Sequence, residues 1–328
     1  MLNKKLFLNQ KLFDYNAPQI PTRDGFGQAL VELGNTNKDV VVLTADLSES
    51  TRTQDFQKAF PSRFFDTGVA EQNMAAIAAG MAVSGKIPFI SSYAVFSPGK
   101  NLETIRTTIV YNRANVKIAG HHAGIMTGAD GATHQATEDI AITRVLPGLS
   151  VFVPCDSIEA KKVTLESVII QGPVYLRFSR DKSPIITTNK TPFEVGQPQV
   201  FWETKNPKVT IFATGYMTYY ALLAAKILEQ KQIEVLVVNI ATIKPINEDK
   251  IIELTTQSGK VVTAEDHQVM GGLGGMISEI LAKRNPLPIE FIGLQDTFAE
   301  SGNPKDLIKK YKMDEVSIIE AIEKVLTR

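Results

Sequence analysis

Along almost the whole chain, continuous apolar runs alternate with segments of helical spacing. The strand-like runs are Val40–Ala45, Val116–His121, Ser150–Pro154 and Val174–Arg180, then Val209–Thr214, Glu234–Ile240, Lys260–Ala264 and Ile289–Leu294. A run without a polar face predicts a strand buried on both sides of a parallel sheet. Between these runs, Phe26, Leu30 and Leu33 recur on one helical face, as do Val316, Ile319, Ile322 and Leu326 near the end. Asp156 with Glu159 has the spacing of a capping box opening a further helix. The alternation predicts an α/β chain built on two doubly wound, mostly parallel sheets.

The alternation is interrupted at Ser183–Lys208, where Pro184, Pro192, Pro198 and Pro207 gather. This predicts a first domain over 1–185, a linker over 186–208 and a second domain over 209–328.

Composition then narrows the classes. Lys plus Arg and Asp plus Glu are balanced at 35 each, so no net field draws the chain to nucleic acid or to an anionic membrane. Cys155 is the only cysteine, which excludes an intrachain disulfide; it follows the apolar run Val151–Pro154 and reads as a buried, inert thiol. The apolar stretch near Met1 is far shorter than the roughly seven to fifteen residues of a secretory signal. No run reaches the roughly 18 apolar residues of a membrane helix. A cytoplasmic protein is expected.

Two segments carry candidate chemistry. In Asp66-Thr67-Gly68-Val69-Ala70-Glu71-Gln72-Asn73, a glycine turn leads into a helix rich in small residues (Ala75, Ala76, Ala78, Ala79, Gly80, Ala82). Such a helix is expected to pack closely, against a second subunit included, with Glu71 at its N-terminus. Taken alone, Glu71 is as well explained by the helix dipole. The second segment is Gly128-Ala129-Asp130-Gly131-Ala132-Thr133-His134-Gln135, with His121 and His122 just upstream. Three of the four histidines thus fall in or beside one glycine-rich loop after a strand, where α/β proteins place ligands. A metal cluster is conceivable on composition, but adjacent strand residues point to opposite faces and no second ligand group stands out.

Read in order, Thr22-Arg23, Ala45-Asp46-Leu47, Gly68–Gln72, Gly128–Gln135, Phe178-Ser179-Arg180 and Glu265-Asp266-His267 make the chain similar, from about residue 20 onward, to the C-terminal two-thirds of transketolase. The resemblance implies transfer of a two-carbon ketol unit between sugar phosphates of the pentose phosphate pathway by thiamine diphosphate ylid chemistry. In it Glu71 bonds the aminopyrimidine ring nitrogen and activates the cofactor. Tyr93 and Phe96 match the positions that stack on that ring. His122 and His134 match histidines at the substrate's hydroxyls and carbonyl, and Asp130 an aspartate on a substrate hydroxyl. Arg23, Ser50 and Arg180 match the positions that hold the sugar phosphate, a role suited to the planar guanidinium fork. The Glu265–His267 run and the following Gly271–Gly275 are read as mainly structural, with an approach of His267 to the active-site mouth left open.

One family mark is missing. The resemblance calls for a Gly-Asp-Gly motif, followed by an asparagine, in a domain that binds the diphosphate through magnesium, and no Gly-Asp-Gly occurs here. No metal ligands are therefore assigned to this chain. Magnesium and the diphosphate are expected on a separate chain, the N-terminal section of a two-chain transketolase, in an assembly of two copies of each. Three other readings remain. A 1-deoxy-xylulose-5-phosphate synthase typically has aspartate in place of His122 and an arginine near Gly99. The β subunit of a 2-oxo-acid dehydrogenase lacks the Asp130–Gln135 run. A non-catalytic interaction module would keep the fold alone.

Overall fold

The computed structural model describes residues 1–328 and contains fourteen strands. The first eight are β1 (Gln19–Pro21), β2 (Val40–Thr44), β3 (Phe64–Asp66), β4 (Ile87–Tyr93), β5 (Lys117–His121), β6 (Ser150–Phe152), β7 (Val174–Arg177) and β8 (Lys182–Pro184). The rest are β9 (Gln199–Trp202), β10 (Val209–Ala213), β11 (Val235–Asn239), β12 (Thr242–Lys244), β13 (Val261–Gln268) and β14 (Ile289–Leu294).

The larger sheet has the order β12-β6-β7-β5-β4-β2-β3 and is parallel except for β12. The smaller has the order β14-β13-β10-β11-β9 and is parallel except for β9. In β2, β5, β10 and β11 every residue is buried, as strands covered by helices on both faces require. The helix Ser157–Ser167 opens on Asp156, whose side chain accepts from Glu159 N–H at 2.8 Å; the reciprocal half of the capping box is not made, since the Glu159 carboxylate accepts from Cys155 N–H and Asn239 instead.

Three features depart from the sequence reading. The central strand β4 was not expected, because Pro88 and the two serines of Ile87-Pro-Phe-Ile-Ser-Ser-Tyr93 break the apolar run; the proline stands at its second position, where little of the ladder lies upstream. Within the stretch expected to be linker, Gln199–Trp202 forms the antiparallel edge strand β9. Finally, β12 leaves the C-terminal half and pairs with β6, so one sheet is completed by the other half of the chain.

The two halves also share their cores. Ile125, Met126 and Cys155 belong to one apolar cluster with Ile211, Ala264 and Leu294. Leu2, Leu8 and Leu12 join the same cluster, and Asn3 N–H bonds Phe201 O at 2.9 Å, so the first residues lie against the C-terminal sheet.

Candidate active site

The parallel strands of the larger sheet end together, and the loops at their carboxyl ends carry nearly all the residues singled out above. Strand β5 ends at His121, which turns inward. Its ring lies 5.0 Å from Phe26 and 5.2 Å from Phe178, centre to centre, with Nε2 3.0 Å from Ser91 Oγ. His122 follows with a left-handed backbone (φ 54°) and points the other way. It stacks on Tyr93, ring centres 3.9 Å apart and planes 23° apart. Phe96 lies 6.1 Å from Tyr93, nearly parallel, and His134 stands edge-on to both, 5.5 Å from Phe96 and 6.0 Å from Tyr93. Sequence positions 93, 96, 122 and 134 therefore form one wall.

His122 is buried and its Nδ1 has no partner. Burial above all, then the charges of Arg23, Arg180, His134 and Arg52, lower its pKa to about 3, so its imidazole is neutral at physiological pH. His121 is pushed down as well, by complete burial first. The thiol of Cys155, buried beside Glu159 and Asp156, is pushed up and stays protonated.

Below this wall, a cleft of about 560 Å³ is lined by Arg23, Arg52, Arg180 and Lys182, with Asp24 and Asp181 among them. Arg23 donates to the carbonyl of Ser50 at 2.8 Å, and its buried Nε has no partner. Arg180 donates to Thr127 O at 2.8 Å and stands 3.4 Å from Asp130. Arg52 is paired with Asp24 at 2.7 Å. An excess of guanidinium groups with a free donor suits an anion such as phosphate.

Glu71 is the first residue of the helix Glu71–Val83 and is 1% exposed. Its carboxylate is held by Lys100 at 3.1 Å rather than by first-turn amides, and its carbonyl accepts from Asn101 at 3.0 Å. Both partners follow Phe96 within the same turn, which ties the acid to the aromatic wall. The helix buries Met74, Ala75, Ala78 and Ala79 on one side, while Ala76, Ile77, Gly80 and Val83 on the other are uncovered within this chain.

Ser50 enters the arrangement through its carbonyl, not its hydroxyl. His267 does not reach the cleft. It is fully buried, with Nδ1 2.6 Å from Gln268 O, and its Nε2 accepts from Ala141 N–H at 3.3 Å in the first turn of the helix Asp139–Arg144. Lys100, Arg52 and Lys182 escaped the sequence reading. Arg52 lies in the loop after β2, and Lys182 opens β8 soon after the end of β7, on the side of the sheet where α/β proteins place ligands, which is a weak signal. For Lys100, 29 residues from Glu71, no spacing gives the contact.

Tested against thiamine diphosphate, the site fits the pyrimidine end. A buried carboxylate stands next to an aromatic wall with an orphaned imidazole nitrogen. No group of three or more His, Cys, Asp or Glu side chains is placed to hold a metal ion.

Two domain models match this architecture: the transketolase pyrimidine-binding domain over residues 18–185 and the transketolase C-terminal domain over residues 200–318. The pair defines a chain of the transketolase class, built of its pyrimidine-binding and C-terminal domains. The chain belongs to the transketolase family. It is 44% identical over 304 residues to a putative transketolase C-terminal section of Methanocaldococcus jannaschii, covering 92% of this chain and 94% of that protein. To one subunit of the apulose-4-phosphate transketolase of Phocaeicola vulgatus it is 34% identical, over 91% of this chain and 95% of the other. Human transketolase is 31% identical, and there the match takes 94% of this chain but 50% of the relative. A solved split gene transketolase, described as an inactive beta4 tetramer, superposes with a TM-score of 0.87 at 46% identity, over 94% of this chain and 99% of that one. No helix is long and apolar enough to cross a membrane.

Proposed function

We propose that this chain is the pyrimidine-binding subunit of a two-chain transketolase, which moves a two-carbon ketol unit from a ketose phosphate to an aldose phosphate. The observation that carries this reading is the buried Glu71, tied to the turn that bears Phe96 by its carboxylate through Lys100 and by its carbonyl through Asn101. When bound, thiamine diphosphate supplies a carbon nucleophile and the electron sink for cleaving the ketose C2–C3 bond. Glu71 holds the proton on the aminopyrimidine ring nitrogen, and Tyr93 with Phe96 stacks on the ring. His122, neutral at working pH, accepts or returns protons at the substrate's hydroxyls and carbonyl, together with His134. Asp130 bonds a substrate hydroxyl. Arg23 and Arg180, beside the Ser50 carbonyl, take the sugar phosphate.

The diphosphate and its magnesium are assigned to an N-terminal-section partner chain. Support comes from the match to half of human transketolase and from the split relatives of the same extent. The uncovered face of the helix Glu71–Val83, where Ile77 and Val83 are exposed, supports self-association, giving an assembly of two copies of each chain. A cytoplasmic location accords with the single buried thiol.

The test is a ketol-transfer assay with xylulose 5-phosphate, ribose 5-phosphate, thiamine diphosphate and magnesium. It is run on this chain alone, on the mixture with the candidate partner, and on a mixture carrying Glu71→Ala. Activity is expected only in the mixture, and the substitution is expected to lower it by roughly 10²- to 10⁴-fold, the range of general acid–base assistance. Activity from this chain alone overturns the two-chain reading. A folded, cofactor-binding complex without transfer brings the deoxyxylulose phosphate synthase and 2-oxo-acid readings forward.

A further inference from the structure

The Glu265-Asp266-His267 run at the end of β13 is a sequence motif that the proposed reaction does not use. Its three side chains are buried, and each serves a different stretch of backbone. Glu265 accepts from the amides of Leu273 and Gly274 at 2.7 and 2.8 Å and so closes the start of the helix Leu273–Arg284. His267 does the same for the helix Asp139–Arg144. Asp266 serves the start of a short 3₁₀ turn. Its carboxylate accepts from Ile125 N–H at 2.9 Å and from Met126 N–H at 3.4 Å. These amides open the turn Ile125–Asp130, which follows His122 by three residues and ends on Asp130.

Both ends of this contact are fixed. On the loop side, Thr127 Oγ1 donates to His122 O at 2.6 Å, and Arg180 donates to Thr127 O at 2.8 Å, so the amides held by Asp266 lie within the stretch that carries the site residues. On the other side, the Asp266 carbonyl accepts from Arg177 at 2.7 Å, and Arg177 is paired with Asp139 at 2.7 Å. The approach is close. Gly124 has φ 76°, and a Cβ there would stand 2.0 Å from Asp266 Oδ2, so glycine is required on both counts.

We propose that Asp266 is a positioning residue of the active site: through the amides of Ile125 and Met126, the C-terminal domain sets where His122 and Asp130 stand. The proposal rests on the ketol-transfer reading of that site. Asp266 itself touches none of the proposed site side chains, so it acts through the loop, and its removal is read in turnover and in the state of His122.

Asp266→Asn keeps the shape but turns an amide donor toward amide donors. Gly124→Ala strains the same contact from the loop side. In the assembled enzyme at saturating cofactor, each is expected to lower kcat by roughly 10- to 100-fold, the scale set by displacing reacting groups by about 1 Å. A second readout uses the isolated chain labelled on histidine nitrogen, whose four histidines are His121, His122, His134 and His267. Both variants are expected to move the His122 ring signals and leave those of His121 in place. Leu281→Ala, a core truncation in the helix Leu273–Arg284, is the stability control: it should lower the denaturation midpoint without moving His122. Unmoved His122 signals with unchanged kcat in either folded variant, or the same shifts from Leu281→Ala, overturn the proposal. If Asp266→Asn fails to fold, Gly124→Ala decides alone. If the wild-type assembly shows no ketol transfer while the His122 signals still move, the reaction reading falls and the positioning contact stands.

Discussion

The Lys100 ammonium stands 3.1 Å from Oε2 of Glu71, and the two side chains are 48% and 2% exposed. A buried acid is therefore met by a cation that keeps its other flank in water. A ring nitrogen that bonds Glu71 has to share this oxygen or displace the lysine. Lys100→Met removes the competitor, and the assembled enzyme is expected to bind thiamine diphosphate with an apparent Kd about threefold lower or better. The cofactor-free chain should lose stability, because Glu71 is left buried without its cation. Calorimetric titration and urea denaturation measure the two effects. Weaker binding in the variant would instead make Lys100 an aid to the cofactor.

The buried histidines predict an acid sensitivity with a definite sign. His121 is pushed well below its ordinary value, so near pH 5 the unfolded chain binds a proton there that the folded chain does not, and stability rises with pH. Glu159 and Glu265, both raised to about 7 by burial, act in the opposite direction between their unfolded values and pH 7. The wild-type profile is thus a partial cancellation, and a difference between variants isolates one term. His121→Phe suits the pocket between Phe26 and Phe178, at the cost of leaving Ser91 Oγ without its partner. Between pH 7 and pH 5 the variant should lose about 2 kcal/mol less stability than wild type, the proton-linkage value for one site with an unfolded pKa near 6.5. Urea titrations at the two pH values check it; equal losses would mean that His121 is protonated in the folded chain.

Where the sequence pattern was legible, chemistry and burial agreed. Val40–Ala45 and Val209–Thr214 read as strands because the only polar residues in them, Thr44, Thr210 and Thr214, are β-branched and lie near their ends, and both lie inside parallel sheets. Strand β4 was hidden, since Ser91 and Ser92 are buried by tertiary partners such as His121 that a local pattern does not register. The site divided in the same way. The loop from His121 to Gln135 announced itself by composition; His121 and His122 do face opposite ways, but through the left-handed backbone of His122 just past the strand end, which strand alternation alone does not give. The Lys100–Glu71 and Asp266–Ile125 contacts had no such signal, because each joins residues far apart in sequence through folds of the chain that only topology supplies.

The ion pair of Arg177 with Asp139 is buried at 2.7 Å, and Tyr175 OH donates to the same carboxylate at 2.6 Å. Arg177 also holds the carbonyls of Ala136 and Asp266, so it joins the end of the glycine-rich loop to the C-terminal domain. Asp139→Ala leaves the guanidinium buried without a counter-charge and is expected to cost about 3–5 kcal/mol. Asp139→Asn, which keeps the acceptor oxygen, should cost clearly less. Chemical denaturation of the isolated chain ranks them. Near-equal losses would indicate that the charge of Asp139 carries the contribution and that the retained acceptor oxygen adds little.

Arg180 is the proposed phosphate ligand whose surroundings make the sharpest specificity prediction. It is half-buried, donates to Thr127 O at 2.8 Å and stands 3.4 Å from Asp130, so part of its fork is already used to brace the loop. Arg180→Lys preserves charge but cannot hold a carbonyl and a phosphate with one planar group. Losing one charge-assisted bond of about 1.5–3 kcal/mol corresponds to a rise of roughly 10- to 100-fold in KM for a phosphorylated ketose. For the unphosphorylated ketose, KM should stay within about threefold of wild type, since no phosphate bond is lost. Steady-state assays of the assembled enzyme on the matched pair of substrates separate the outcomes. Equal losses on both would assign Arg180 to the loop instead of the phosphate, and would move the anion contact to Arg23 and Arg52 in the same cleft.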